Sequence, residues 1–119
     1  MKEVIKMAAQ GDVLFRRVDK IPASTKRQDR KPGPIVVAHS ETGHHHAIEH
    51  DPHVEVHVED SLTTYLRMDG DFGGGSVDVV HHRPYDTHET LRLLGGPGTI
   101  WQVRRQREHT PEGWRRVED

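Results

Sequence analysis

The chain contains no cysteine, which excludes a disulfide framework and any thiolate metal site. Aromatic residues are almost as scarce, at 5% of the chain, and apolar residues reach only 32%, below the share usual for a globular domain. A chain of 119 residues is therefore expected to form a single domain over 1–119 with one modest core. Domains this small and polar often draw stability from a bound metal or a partner subunit. Long apolar runs are missing too. The start, Met1-Lys2-Glu3-Val4-Ile5-Lys6, carries no signal-peptide core, and no stretch has the length needed to cross a bilayer, so the cytoplasm is the expected location. Neither sign of charge dominates, with 17 Lys and Arg against 19 Asp and Glu. That balance speaks against both a disordered polyelectrolyte and a dedicated nucleic-acid coat.

Helical periodicity is also absent. Apolar and polar residues instead alternate in short runs, as in His53 to Glu59, where Val54, Val56 and Val58 share one face and Glu55, His57 and Glu59 the other. Similar signals mark strands over Asp12–Val18, Ile35–His39, Leu62–Met68, Ser76–His82, Thr90–Leu94 and Thr99–Arg107. Residues 1–9 read as an N-terminal extension, 19–34 as a long loop with prolines, and 110–119 as a tail. In that tail Thr110-Pro111-Glu112 resembles the start of a short helix. "GGPG" at Gly95–Gly98 is a turn into the last strand. The expected fold is all-β, a small barrel or sandwich of about seven or eight strands.

What the sequence has in excess is histidine. Eleven are present, ten of them between His39 and His88, and three are consecutive in "TGHHHAIEH". On a strand, His44 and His46 would present their rings on one face, with His45 and Ala47 on the other. Two such imidazoles can hold one divalent ion, and His88 in "YDTHET" is the candidate third ligand. Asp86 and Glu49 are possible further ligands or acceptors that orient the histidines. His81 and His82 point to opposite faces, so only one of them can join a common site, and His82 is taken as the candidate. A three-histidine site with an open position suits Zn, Fe, Mn or Ni and is compatible with metal-assisted hydrolysis or non-haem iron chemistry. Whether the chain is an enzyme stays open at this point. His53 and His57 fit a solvated face, and His39 a core histidine bonded to backbone.

The pattern His44-x-His46 followed much later by His88 resembles the metal site of cupins, small β-barrels that use a His-x-His pair, a glutamate and a later histidine. The resemblance implies a cupin-like barrel with a bound metal and selects no reaction. "QGDVLF", "TGHHHAI", "GGPGTIWQVRRQREHTPE" and "RRV" resemble blocks of a family of small, uncharacterised bacterial and phage proteins with a GHxH segment. That likeness again implies roles for His44, His46 and His88.

Other chemistries find less support. The glycine clusters lack the lysine and the strand–helix context of a phosphate loop, and no strained nucleophile turn marks a Ser-His-Asp triad. Arg104, Arg105 and Arg107 lie near Trp101 and Trp114, a combination able to grip phosphates and stack bases. They define the alternative reading, a non-catalytic interaction or assembly module with nucleic acid or a second copy of the chain as partner.

Overall fold

A computed structural model describes residues 2–29, 34–38, 45–48, 54–68, 76–81, 88–96, 98–105, 107–110 and 113–116, with backbone alone for 88–89 and for the segments after 105. The architecture is all-β. Among the described residues eleven strands form two sheets, one of five and one of six, and a separate two-stranded hairpin follows. Among the described residues no helix is long and apolar enough to cross a membrane.

The five-stranded sheet runs in the order β1 (Lys2–Val4), β10 (His88–Leu94), β9 (Ser76–His81), β6 (His46–Ile48), β5 (Ile35–Ala38). The six-stranded sheet runs β2 (Met7–Gln10), β3 (Val13–Val18), β11 (Ile100–Arg105), β8 (Thr63–Met68), β7 (Val54–Val58), β4 (Lys26–Arg27). All pairings are antiparallel except β1 with β10. Each sheet keeps two edge strands, so the described strands form a sandwich-like pair of layers rather than a closed barrel.

The layers meet through alternation. Val54 and Val56 on β7, Val77 and Val79 on β9, and Trp101 and Val103 on β11 are buried, while their odd-face neighbours are more open. Phe15, Leu66, Met68, Leu91 and Leu93 complete one contiguous core, which a period-two pattern with one buried face requires.

Three segments differ from the reading of the sequence alone. The 1–9 extension carries β1 and part of β2, so it joins both sheets; its strand signal is faint because "KEV" and "MAAQ" are poor in β-branched residues. The 19–34 loop contains the two-residue strand β4, whose backbone pairs with β7 through Lys26↔Val58 and Arg27↔His57. In the tail, β12 (Arg107–Thr110) and β13 (Gly113–Arg116) form an antiparallel hairpin with Thr110 opposite Gly113, in place of a short helix. A helix of one or two turns interrupted by glycine does not recover its nucleation cost.

Two turns set the geometry that matters below. Gln10 pairs with Val13 across the two-residue loop Gly11-Asp12. Gly11 has φ +61° and Asp12 a negative φ, the pattern of a type II′ hairpin, which needs glycine at its first position. At the far end, Gly95 to Thr99 carries the chain from one sheet to the other. Gly95 has φ +148°, and a Cβ there would meet Thr99 Oγ1 at 2.5 Å, so only glycine fits. The Gly98 amide donates to the Met68 carbonyl at 2.6 Å and the Met68 amide to Thr99 at 2.9 Å, which fastens the crossing to β8.

Candidate functional site

Three inward-facing rows end in a polar residue at the same end of the sandwich. On β9 the row is Val77, Val79, His81; on β6 it runs from Ile48 to His46; on β11 it is Trp101, Val103, Arg105. The β2–β3 hairpin brings Gln10 and Asp12 to the same place. His46, His81, Gln10, Asp12 and Arg105 are all at most 5% exposed, a concentration of buried polar groups that a small core does not carry without cause.

The hydrogen bonds fix atoms as well as residues. Gln10 Nε2 donates to the Val79 carbonyl at 2.9 Å, so its Oε1 is the atom that faces His46, 2.8 Å from Nδ1. An amide oxygen only accepts, hence His46 Nδ1 carries the hydrogen; Nε2 holds a lone pair when the ring is neutral and an N–H when it is protonated. That Nε2 lies 3.6 Å from Asp12 Oδ1. The other carboxylate oxygen, Oδ2, accepts from Arg105 Nη2 at 3.2 Å. Gln10, His46, Asp12 and Arg105 thus form one chain of contacts that spans both sheets.

His81 sits beside His46 in register on β9. Their rings stack with centroids 3.8 Å apart and planes 12° from parallel. His81 therefore acts on His46 as a flat wall that limits ring rotation. The next strand places His88 opposite His81. His46, His81 and His88 consequently occupy one row across β6, β9 and β10.

The residues singled out from the sequence fall into three groups. His46 is at the centre of the cluster, and His88 is at its register by backbone. His44, Glu49, His82 and Asp86, with His39 and His53, lie outside the described residues. His57 is half-buried on the polar face of β7, with Nε2 3.3 Å from Glu55 Oε1. Of the arginines, Arg104 faces solvent, Arg105 turns inward to Asp12, and Arg107 begins β12. Among the described residues no set of three or more His, Asp or Glu side chains is arranged to hold an ion; His46 and Asp12 supply two donors.

Gln10, Asp12 and His81 were not among the sequence candidates. The parity of Val77, Val79 and His81 carried the signal for the last of these. Asp12 had a weaker cue, since it follows a glycine at a hairpin turn.

Comparison with curated proteins and with solved structures finds no match. A family model described as "Domain of unknown function (DUF8820)" matches residues 9–106. The matched stretch runs from within β2 to just past β11 and includes every member of the polar cluster. By that match over most of its length, the chain belongs to the DUF8820 family of domains of unknown function.

Proposed function

We propose that this domain binds one divalent metal ion at the polar end of the sandwich, with His46 Nε2 as its fixed ligand. Asp12 Oδ1 is the second donor, and His44 and His88 complete the set. The observation that carries this reading is the placement of His46 Nε2 3.6 Å from Asp12 Oδ1 while Gln10 holds the opposite ring nitrogen. Donors about 2.1 Å from a shared tetrahedral ion lie roughly 3.4 Å apart, close to this separation. Gln10 is then the acceptor that orients the ligand from behind, a standard partner of metal-bound histidine.

Imidazole and carboxylate together suit Zn, Fe or Mn. The His-x-His pair with a later histidine, similar to the cupin arrangement, supports the same assignment for His44 and His88. A bound ion would supply Lewis acidity or an activated water, while the residues described here would hold and orient it and exclude solvent from His46.

Elemental analysis of untagged protein, purified without a nickel column, tests the proposal. About one ion per chain is expected, lost in His46→Ala, His44→Ala and His88→Ala and retained in His57→Ala. Folded wild-type protein that is metal-free and takes up no Zn, Fe or Mn on titration would refute it.

A further inference from the structure

The four sheet edges differ in how they are closed to other strands. An exposed edge offers a row of backbone donors and acceptors to any passing strand, and folded proteins blunt it with charge, proline or a bulge. β1 carries Lys2 and Glu3, and β4 consists of Lys26 and Arg27. β5 follows Pro34 and breaks register against β6 between Val36 and Ala38. β2 has none of these devices. Its residues Met7-Ala8-Ala9-Gln10 carry no charge and no proline, and they pair with β3 in unbroken register. Ile5 is 64% and Met7 59% exposed, the two large hydrophobics left open among the described residues, and both border this edge. Singly such side chains need no explanation; together at an undefended edge they give a pairing strand apolar surface to cover.

The turn fixes which backbone groups of β2 face outward. Gln10 and Val13 close the two-residue loop as a hydrogen-bonded pair, and bonded pairs alternate along an antiparallel ladder. Ala8 with Phe15 is therefore the next bonded pair. The Arg17 amide, which donates to the Lys6 carbonyl at 2.8 Å, continues the series. Met7 and Ala9 lie between, so their N–H and C=O groups point away from β3 to the open edge. Among the described residues no strand pairs with them there.

We propose that β2 is a dimerisation edge, pairing antiparallel with β2 of a second copy of this chain about a two-fold axis at Ala8. A register with a residue on the axis keeps the outer faces of the two sheets on the same side. With the axis at Ala8, Met7 of each copy lies opposite Ala9 of the other. Both are then hydrogen-bonded pairs, and every outward N–H and C=O of the two strands finds a partner. Ala8 meets Ala8 on the core side, where a methyl group leaves room. On the outer face Met7 covers Ala9 of the copy, and Ile5 reaches the Gly11 turn of the copy. No like charges oppose one another along the strand. This self-complementarity selects a second copy as the occupant. The two six-stranded sheets then run on as one, and the pairing uses no metal ligand.

The test is sedimentation equilibrium of the full chain over a range of concentrations, with circular dichroism to confirm folding. A monomer–dimer equilibrium is expected for the wild type. Proline at position 9 removes only an outward N–H. Ala9→Pro should therefore keep the β2–β3 ladder and raise the dimer dissociation constant about tenfold or more. Met7→Lys, at an exposed position, should weaken the dimer likewise and decides the matter if Ala9→Pro does not fold. Because the chain has no cysteine, single replacements read the register. Ala8→Cys brings two thiols to a non-hydrogen-bonded pair with Cα atoms about 4.5 Å apart, within disulfide range, and should cross-link on oxidation. Met7→Cys places them diagonally, out of that range, and should cross-link far less. His46→Ala should dimerise as the wild type does, so failure of the metal reading is distinguishable from failure of this one. Wild-type protein that stays monomeric, even if it captures a strand of another protein, would overturn the proposal. So would undiminished dimerisation of folded Ala9→Pro or Met7→Lys, or cross-linking of Met7→Cys as efficient as that of Ala8→Cys.

Discussion

The two ends of the sandwich are built on opposite principles. At one end Trp101, Met68 and Leu93 are fully buried, and the Gly95–Thr99 crossing closes over β8 through backbone hydrogen bonds. At the other end the same strands finish in Arg105 and His81, joined by His46, Asp12 and Gln10. The first end follows the ordinary economy of a core, in which apolar area leaves water. The second places an ion pair and two imidazoles where desolvation works against them. A domain with so little apolar residue to spare has kept polar groups in places that Val or Leu could occupy. Departures from packing rules of this kind concentrate at functional sites.

That contrast can be broken deliberately. Trp101→Ala should have the largest effect, a loss of about 3–5 kcal/mol in chemical denaturation, since it hollows the apolar end. Asp12→Leu alone should cost up to a similar amount, roughly 3–5 kcal/mol, because it leaves Arg105 buried without its counter-ion. The instructive variant is the double replacement Asp12→Leu with Arg105→Met. Recovery to near wild-type stability would show that the polar end is held for function, whereas no recovery would make it part of the structural core. Gly95→Ala should destabilise by about 1–3 kcal/mol through its φ and the contact with Thr99, and a melting curve would read it. Smallest of all should be Arg92→Ala. Arg92 pairs bidentately with Asp78 across β10 and β9 at 2.8 and 3.2 Å, and that carboxylate raises its pKa above the usual arginine value. The pair is exposed to solvent, however, so no resolvable change in melting temperature is expected.

The same contrast explains what could be read from the sequence. The apolar end was legible because alternation reports burial directly: β7, β8, β9 and β11 lie within a residue or two of the runs that announced them. The polar end was legible only in part. The histidine run pointed to His46 and the later "YDTHET" to His88, yet His81 stood beside His82 with nothing but parity to separate them. Arg105 read with Arg104 and Arg107 as a contact for a polyanion, since composition favours exposed arginine, while its alternation with Trp101 and Val103 put it inside. Asp12 and Gln10 enter the cluster through a hairpin turn and a long-range register, with Gln10 bonded to Val79. Such contacts depend on which strands meet, and that is not written in any local stretch. The strands β1 and β4 escaped for a related reason: each is short and is ordered by a partner distant in the chain, while β2, hairpin partner of β3, escaped because "MAAQ" carries no β-branched residue.

The β1–β10 pairing has a consequence for how the molecule comes into being. Lys2 lies opposite Leu91 and Val4 opposite Leu93, so β1 leaves the ribosome well before the strand it pairs with and waits for it. At roughly 5–20 residues per second this interval lasts on the order of several seconds. Throughout it β2 can fold back on β3, while β1 has no edge to join. The sheet that carries His46, His81 and His88 is therefore completed only once β10 has been made, in a fold dominated by distant contacts.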